Sequence, residues 1–256
     1  MSEPTLPANR RRLWAELLIV LGLSLGASAV YSLAIITDRL TRPVALADQT
    51  ATLNPSQSDR PTFDLIYQLL GIFFDLVPAA LVAFILWQTA KPHLGRLGID
   101  GSRPGRDSLW GAGLALAIGI PGIGVYLGAR ALGLAVDVNP APLDAYWWTI
   151  PVLVLSAIRA GITEEVIVIG YLFARLRDLG WGTWPIIIAS AVLRGTYHLY
   201  QGFGGFVGNL AMGLVFGWLY TRTGRVLPLV IAHAVIDAAI FLGYPWARAA
   251  FPTVLG

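Results

Sequence analysis

Two adjacent glutamates, Glu164 and Glu165, lie inside the apolar stretch Ala160-Gly161-Ile162-Thr163-Glu164-Glu165-Val166-Ile167-Val168-Ile169-Gly170. A charged side chain at the centre of a bilayer costs about 2.5–3.5 kcal/mol on insertion scales, so two in succession call for a reason, and chemistry is the first to consider. Two of the three histidines, His198 and His233, fall in similarly apolar surroundings. His233 and Asp237 are four residues apart, which on a helix places them on one face with Cβ atoms about 5–6 Å from each other. Arg194 and His198 share that spacing on their own segment. Glu164 and Glu165 differ by about 100° around a helix axis. One of them can therefore face a cavity while the other meets a neighbouring helix. Carboxylates and imidazoles gathered in an otherwise inert setting are the groups needed to activate water: a carboxylate takes its proton, and imidazoles deliver protons or donate to a developing oxyanion. The same residues also have structural readings. The glutamates could form ion pairs with Arg159 or Arg194, and Asp237 could do no more than fix the tautomer of His233. Asp75, on a separate apolar stretch, is read as structural, a partner for Arg159 or Arg194.

The elements that must position these groups are apolar helices. Of the 256 residues, 56% are hydrophobic and 13% charged, about half the charged fraction of soluble domains. The expected fold is all-α, a polytopic integral membrane bundle of about seven (six to eight) transmembrane helices. Spans are expected over residues 13–36, 63–87, 108–127, 148–176, 184–200, 206–220 and 226–244. Gly119, Pro121, Gly122 and Gly124 predict a kink in the third. Glu16, near the end of the first, is placed to reach the interface, and Tyr146, Trp147 and Trp148 mark another boundary. Gly204, Gly208, Gly213 and Gly217 recur at spacings that let helix backbones approach closely. Residues 1–140 are expected to form an N-terminal membrane region with a basic tail and a polar loop at 38–62, and residues 141–256 the region bearing the chemistry.

Basic residues cluster at 10–12, 91–106, 175–177 and 222–225, in alternate loops. The positive-inside rule then puts the N-terminus in the cytoplasm and the protein in the plasma (inner) membrane. A net charge of +3 held in short loops reads as topology determination and argues against a nucleic-acid partner. The absence of cysteine excludes disulfides, thiolate catalysis and Cys-based metal sites.

Residues 145–245 resemble the CPBP family, the type II CAAX prenyl endopeptidases and related bacteriocin-processing, Abi-like membrane proteins. The family pattern is Glu-Glu-x-x-x-Arg, then Phe-x-x-x-His, then His-x-x-x-Asn/Asp. This chain has Glu164-Glu165-Val166-Ile167-Val168-Ile169, Arg194-Gly195-Thr196-Tyr197-His198 and His233-Ala234-Val235-Ile236-Asp237. Two positions depart from it: Ile169 stands where the family has arginine, and Arg194 where it has phenylalanine.

The resemblance implies an intramembrane endopeptidase acting on a membrane-associated protein or peptide, of CAAX or lipidated type. Glu164 would be the general base, His198 its helper and Glu165 an orienting group, with His233 and Asp237 stabilising the oxyanion. Arg194 would supply the missing guanidinium from the neighbouring helix. No cofactor is required on this reading. The alternative is a zinc held by Glu164, His198 and His233. Two other function classes stand beside it: a non-catalytic membrane scaffold or bacteriocin-immunity-type protein, and a proton-coupled transporter.

Overall fold

The computed structural model describes residues 10–143 and 145–250. The first nine residues of the basic tail and residues 251–256 lie outside it. Nine α-helical segments follow one another: α1 (Arg10–Gly22), α2 (Leu25–Thr41), α3 (Pro61–Ile85), α4 (Pro104–Ala131), α5 (Thr149–Glu164), α6 (Leu172–Asp178), α7 (Thr183–Tyr197), α8 (Phe203–Thr223) and α9 (Leu227–Ala250). Between α5 and α6 the chain stays helical but widens into a π-helix over Glu165–Tyr171. α5, the π turn and α6 therefore make one continuous rod.

α3 and α4 each start on a proline, whose missing amide proton is no loss in a first helical turn. The first expected span is two helices bent by 57°. Gly22 and Ser24 sit at the break, and the Ser24 hydroxyl donates to the Val20 carbonyl at 2.6 Å, diverting an acceptor from the helical ladder. α4 remains a continuous helix past Pro121.

α3, α4, α8 and α9 are long and apolar enough to cross a membrane, and the bent α1–α2 pair makes a fifth candidate. α7, at 15 residues, is about 22 Å long, shorter than a hydrocarbon core of about 30 Å. α5 also falls short by itself, because the π turn ends it at 16 residues. The span expected over residues 148–176 corresponds to the whole α5–π–α6 rod, whereas the one expected over 184–200 is the short α7.

The α5–π–α6 rod is the axis of the bundle. Val166, Ile167, Val168, Ile169, Tyr171, Leu172 and Phe173 are all buried, as expected of a helix that is apolar all round. Four consecutive β-branched residues crowd a normal helical turn, and the wider π turn gives them room. Around the axis, α2 lies along α7, α7 along α8, α4 against α8 and α9, α9 along α5, and α5 along α3. Helices from both sides of residue 140 thus share one bundle.

At one end the loops before α3 and before α5 join through a short parallel pair, β1 (Thr50–Thr52) and β2 (Asp137–Asn139), in register Thr50↔Asp137. Gly202, at φ 92°, brings its backbone against Ala135, where a Cβ would lie 2.7 Å from the Ala135 Cα. The loop leading into α8 is thereby tied to the same cap.

Small residues set how closely the rods approach. A Cβ at Gly161 would lie 2.8 Å from the Val230 carbonyl oxygen and 3.2 Å from the Ala234 nitrogen, so α5 and α9 meet backbone to backbone. At Gly213 it would lie 2.8 Å from the Ala191 Cα and 3.3 Å from the Arg194 side chain. Gly208 meets only Val125, at 3.9 Å, so the glycine pattern is packing at some of its positions and open at others. Gly161→Ala should destabilise the protein by about 1–3 kcal/mol through overpacking against backbone that cannot yield. Thermal unfolding in detergent would register it, and an unchanged midpoint would show that the contact is not tight.

Candidate active site

Three helix segments deliver the ionisable groups to one place. Glu164 is the last residue of α5 and Glu165 the first of the π turn. Arg194 and Tyr197 sit in the last turn of α7, with His198 as its C-terminal cap. His233 lies one and a half turns into α9, with Asp237 four residues on.

The two glutamates diverge as a 100° rotation requires. Glu165 is fully buried, and both its oxygens are engaged. Arg194 Nη2 donates to Oε1 at 2.7 Å and to Oε2 at 2.8 Å, and His233 Nδ1 lies 2.7 Å from Oε1. Arg194 is itself wholly buried, with its guanidinium carbon 5.7 Å from the centre of the Phe216 ring. The Arg194–Glu165–His233 contacts tie α7, the π turn and α9 together.

Glu164 is different: its side chain keeps 13% exposure, and its neighbours gather on one oxygen. The Tyr197 hydroxyl donates to Oε2 at 2.7 Å. Around that oxygen stand Arg194 Nη1 at 3.5 Å, His198 Nε2 at 3.6 Å and His233 Nε2 at 3.9 Å. No hydrogen bond reaches Oε1 among the described residues. Both ring nitrogens of His198 are buried without a hydrogen-bond partner, so this imidazole keeps its bonding capacity for something outside the chain. Asp237 Oδ2 is 3.6 Å from His233 Nε2. That histidine therefore stands between two carboxylates, Glu165 on its Nδ1 side and Asp237 on its Nε2 side.

All six residues singled out in the sequence, Glu164, Glu165, Arg194, His198, His233 and Asp237, thus meet around one point. Asp75 does not join them: Arg159 Nη1 donates to it at 2.8 Å, and the Thr163 hydroxyl donates to its backbone carbonyl at 3.1 Å. Of the two arginines considered for the glutamates and for Asp75, Arg159 pairs with the aspartate and Arg194 with the glutamates. Glu16 is paired with the central rod. It accepts from Arg175 Nε at 2.6 Å and from the Tyr171 hydroxyl at 3.0 Å, fastening α1 to the far end of the π turn.

Two contributors escaped the sequence reading. Tyr197 occupies a spacer position of the second motif, and its one available signal was the step beside His198. Ser190 is fully buried and donates to the Val168 carbonyl at 3.0 Å, satisfying a backbone acceptor of the widened helix. Small hydroxyls in apolar helices are too common to mark such a role.

Residues 146–239 match the family model described as type II CAAX prenyl endopeptidase Rce1-like. The likeness to this family is confined to that segment. No curated protein and no solved structure matches the chain. The matched segment contains all six of the clustered residues and Tyr197, and it runs from just before α5 into α9. α1–α4 precede it. Ile169 is completely buried in the core within the π turn, and the guanidinium facing both carboxylates comes from α7.

A zinc-type ion fits these residues poorly. Among the described residues no group of three or more His, Cys, Asp or Glu side chains is arranged to hold a metal. The Arg194 guanidinium, moreover, stands 3.5 Å from the carboxylate oxygen that would be the central ligand, where a second cation would be repelled.

Proposed function

We propose that this protein is an intramembrane endopeptidase in which Glu164 activates water against a peptide carbonyl. The observation that carries this reading is the asymmetry of the glutamate pair. Glu165 is buried with both oxygens engaged, while Glu164 is partly exposed, has one oxygen without a hydrogen bond, and has at its other oxygen an imidazole that makes no hydrogen bond. Glu164 takes a proton from water, and the resulting hydroxide forms the new C–O bond at the carbonyl carbon. The oxyanion accepts a hydrogen bond from His198, the group whose nitrogens are uncommitted. As the C–N bond breaks, Glu164 returns the proton to the departing amine, so the proton taken from water ends on the new amino terminus. Tyr197 and Arg194 hold the Glu164 carboxylate in position. Glu165 and Asp237 hold His233 against it.

The substrate is a membrane-associated protein or peptide of CAAX or otherwise lipid-anchored type. The Rce1-like match and the apolar outer faces of α3, α4, α8 and α9 support this class. The setting is the plasma membrane with the N-terminus on the cytoplasmic side, in keeping with the alternating basic loops. Cleavage of a lipidated peptide library by the purified full-length protein in liposomes tests the activity directly. Absence of any cleavage, with cellular phenotype retained by Glu164 and His198 variants, would favour a scaffold. Loss of proton flux in those variants would favour a transporter.

Catalysis is metal-independent on this reading. Incubation with a strong zinc chelator should leave the cleavage rate within about twofold, and loss restored by added zinc would reinstate the metal alternative. The Arg194 arrangement has its own test. In the double variant Ile169→Arg with Arg194→Phe, the guanidinium returns to the family's position next to the same carboxylates. That protein should retain cleavage, whereas Arg194→Phe alone should not. Failure of the double variant despite a normal unfolding profile would show that the guanidinium must come from α7.

A further inference from the structure

A second site lies at the basic end of the bundle, away from the glutamates. The carboxylates there are already claimed by arginines. Glu16 pairs with Arg175 at 2.6 Å, and Asp178 with Arg96 and Arg175 at 2.9 Å each. Asp100 and Asp107 pair with Arg225 at 2.8 and 2.6 Å. Hydrogen bonds from Arg225 hold Asp100 below the usual carboxylate range, so this acid stays committed.

Two of the arginines that pair with none of these carboxylates face the same concavity. Arg177, in the last turn of α6, and Arg222, in the last turn of α8, line a cleft of about 300 Å³ together with Thr183, Trp184, Trp218 and Thr221. Neither makes an ion pair or a hydrogen bond among the described residues. Instead each lies over aromatic rings: Arg177 at 5.9 Å from the Tyr220 ring centre and 6.0 Å from that of Phe173, and Arg222 at 5.6 Å from that of Trp218. At these distances the rings attract the guanidinium charge through their π faces and leave the N–H donors without a hydrogen-bond partner among the described residues. Trp184 and Trp218 remain 62% and 43% exposed at the ends of apolar helices, the level at which indoles meet lipid headgroups.

We propose that this cleft binds the phosphodiester headgroup of one anionic phospholipid, such as phosphatidylglycerol. Two guanidinium forks grip the phosphate oxygens, the threonine hydroxyls stand beside the glycerol, and the indoles line the path of the acyl chains. Zwitterionic lipids offer the same phosphate but add a cation that two arginines repel. The site is specific to anionic headgroups and does not depend on the proposed protease activity.

Lipid binding can be measured by native mass spectrometry and by thermal unfolding of the full chain in delipidated detergent, titrated with phosphatidylglycerol, phosphatidylcholine or inorganic phosphate. Phosphatidylglycerol should bind saturably, about tenfold or more tighter than phosphatidylcholine, and raise the unfolding temperature. Arg177→Gln with Arg222→Gln should weaken that binding about tenfold or more. Arg222→Lys, which keeps charge but loses the planar fork, should weaken it less. Arg103→Gln with Arg106→Gln, at the same end of the molecule, should leave it unchanged.

The unliganded unfolding temperature separates loss of binding from loss of fold, since both guanidiniums of the cleft lie at the surface. Equal weakening in the Arg103/Arg106 pair would mean diffuse attraction and overturn the site. Unchanged binding in the Arg177/Arg222 variant would also overturn it. Equal stabilisation by inorganic phosphate would assign the cleft to a free anion and overturn the lipid.

Discussion

Replacing Glu164 by glutamine is expected to reduce peptide cleavage by about 10²–10⁴-fold, the range that general acid–base groups contribute, with little change in the unfolding midpoint. Glutamine matches glutamate in shape, and its carbonyl oxygen can still accept the Tyr197 hydroxyl, which donates to Glu164 at 2.7 Å. What disappears is the capacity to take a proton from water. Glu164 also keeps some exposure, so removing its charge relieves no deeply buried pair. The companion change, Glu165→Gln, should behave in the opposite way: stability falls, because Arg194 is then left as an uncompensated cation in a fully buried position. Rates measured at matched folded fractions, with circular dichroism to verify helicity, would separate the two. If Glu164→Gln cleaves at the rate of the unmodified protein, Glu164 is not the base.

The second large effect concerns Arg194. Arg194→Met should destabilise the protein by about 3–5 kcal/mol, the usual consequence of removing one partner from a buried ion pair. The side chain has no exposure and contacts both carboxylates, Glu165 at 2.7 and 2.8 Å and Glu164 at 3.5 Å. Without it, Glu165 keeps only the His233 contact while remaining shut away from solvent. The α7–α9 link through the π turn loosens as well, and cleavage should be lost with it. Arg194→Met combined with Glu165→Leu should recover much of the stability, since an apolar pair of similar volume often replaces a buried ion pair at little or no loss. That double variant would nevertheless leave His233 without its Nδ1 partner and so should stay inactive. An Arg194→Met protein that unfolds at the normal temperature would show that the pair contributes nothing net.

The two variants report on different parts of one device. On the proposed mechanism Glu164 is the group that reacts, whereas Arg194, Glu165 and His233 form the brace that orients it. Stability and activity should therefore separate at position 164 and fall together at position 194.

Much of this was legible in the chain itself. Long apolar runs with few charges admit only helices in a bilayer, because every backbone polar group must be satisfied within its own segment. Against that background Glu164, Glu165, Arg194, His198, His233 and Asp237 stood out, since burying ionisable groups in lipid is unfavourable enough to need a cause. The i, i+4 relation of His233 and Asp237 followed from helix geometry alone.

The tertiary structure decided which of these groups is fully engaged and which keeps an oxygen free. A rotation of about 100° separates two neighbouring glutamates, but the choice of inward face depends on how α5 seats against α9 at Gly161 and how α7 seats against α8 at Gly213. The same packing gave Asp75 to Arg159 and Arg194 to the glutamates, brought in Tyr197, and turned Glu16 toward Arg175. The widened turn after Glu165 and the break at Ser24 likewise arise from crowding and from hydrogen bonds that become definite only when neighbouring helices are in place. Local periodicity tells a residue its face; only the assembled bundle tells that face its partner.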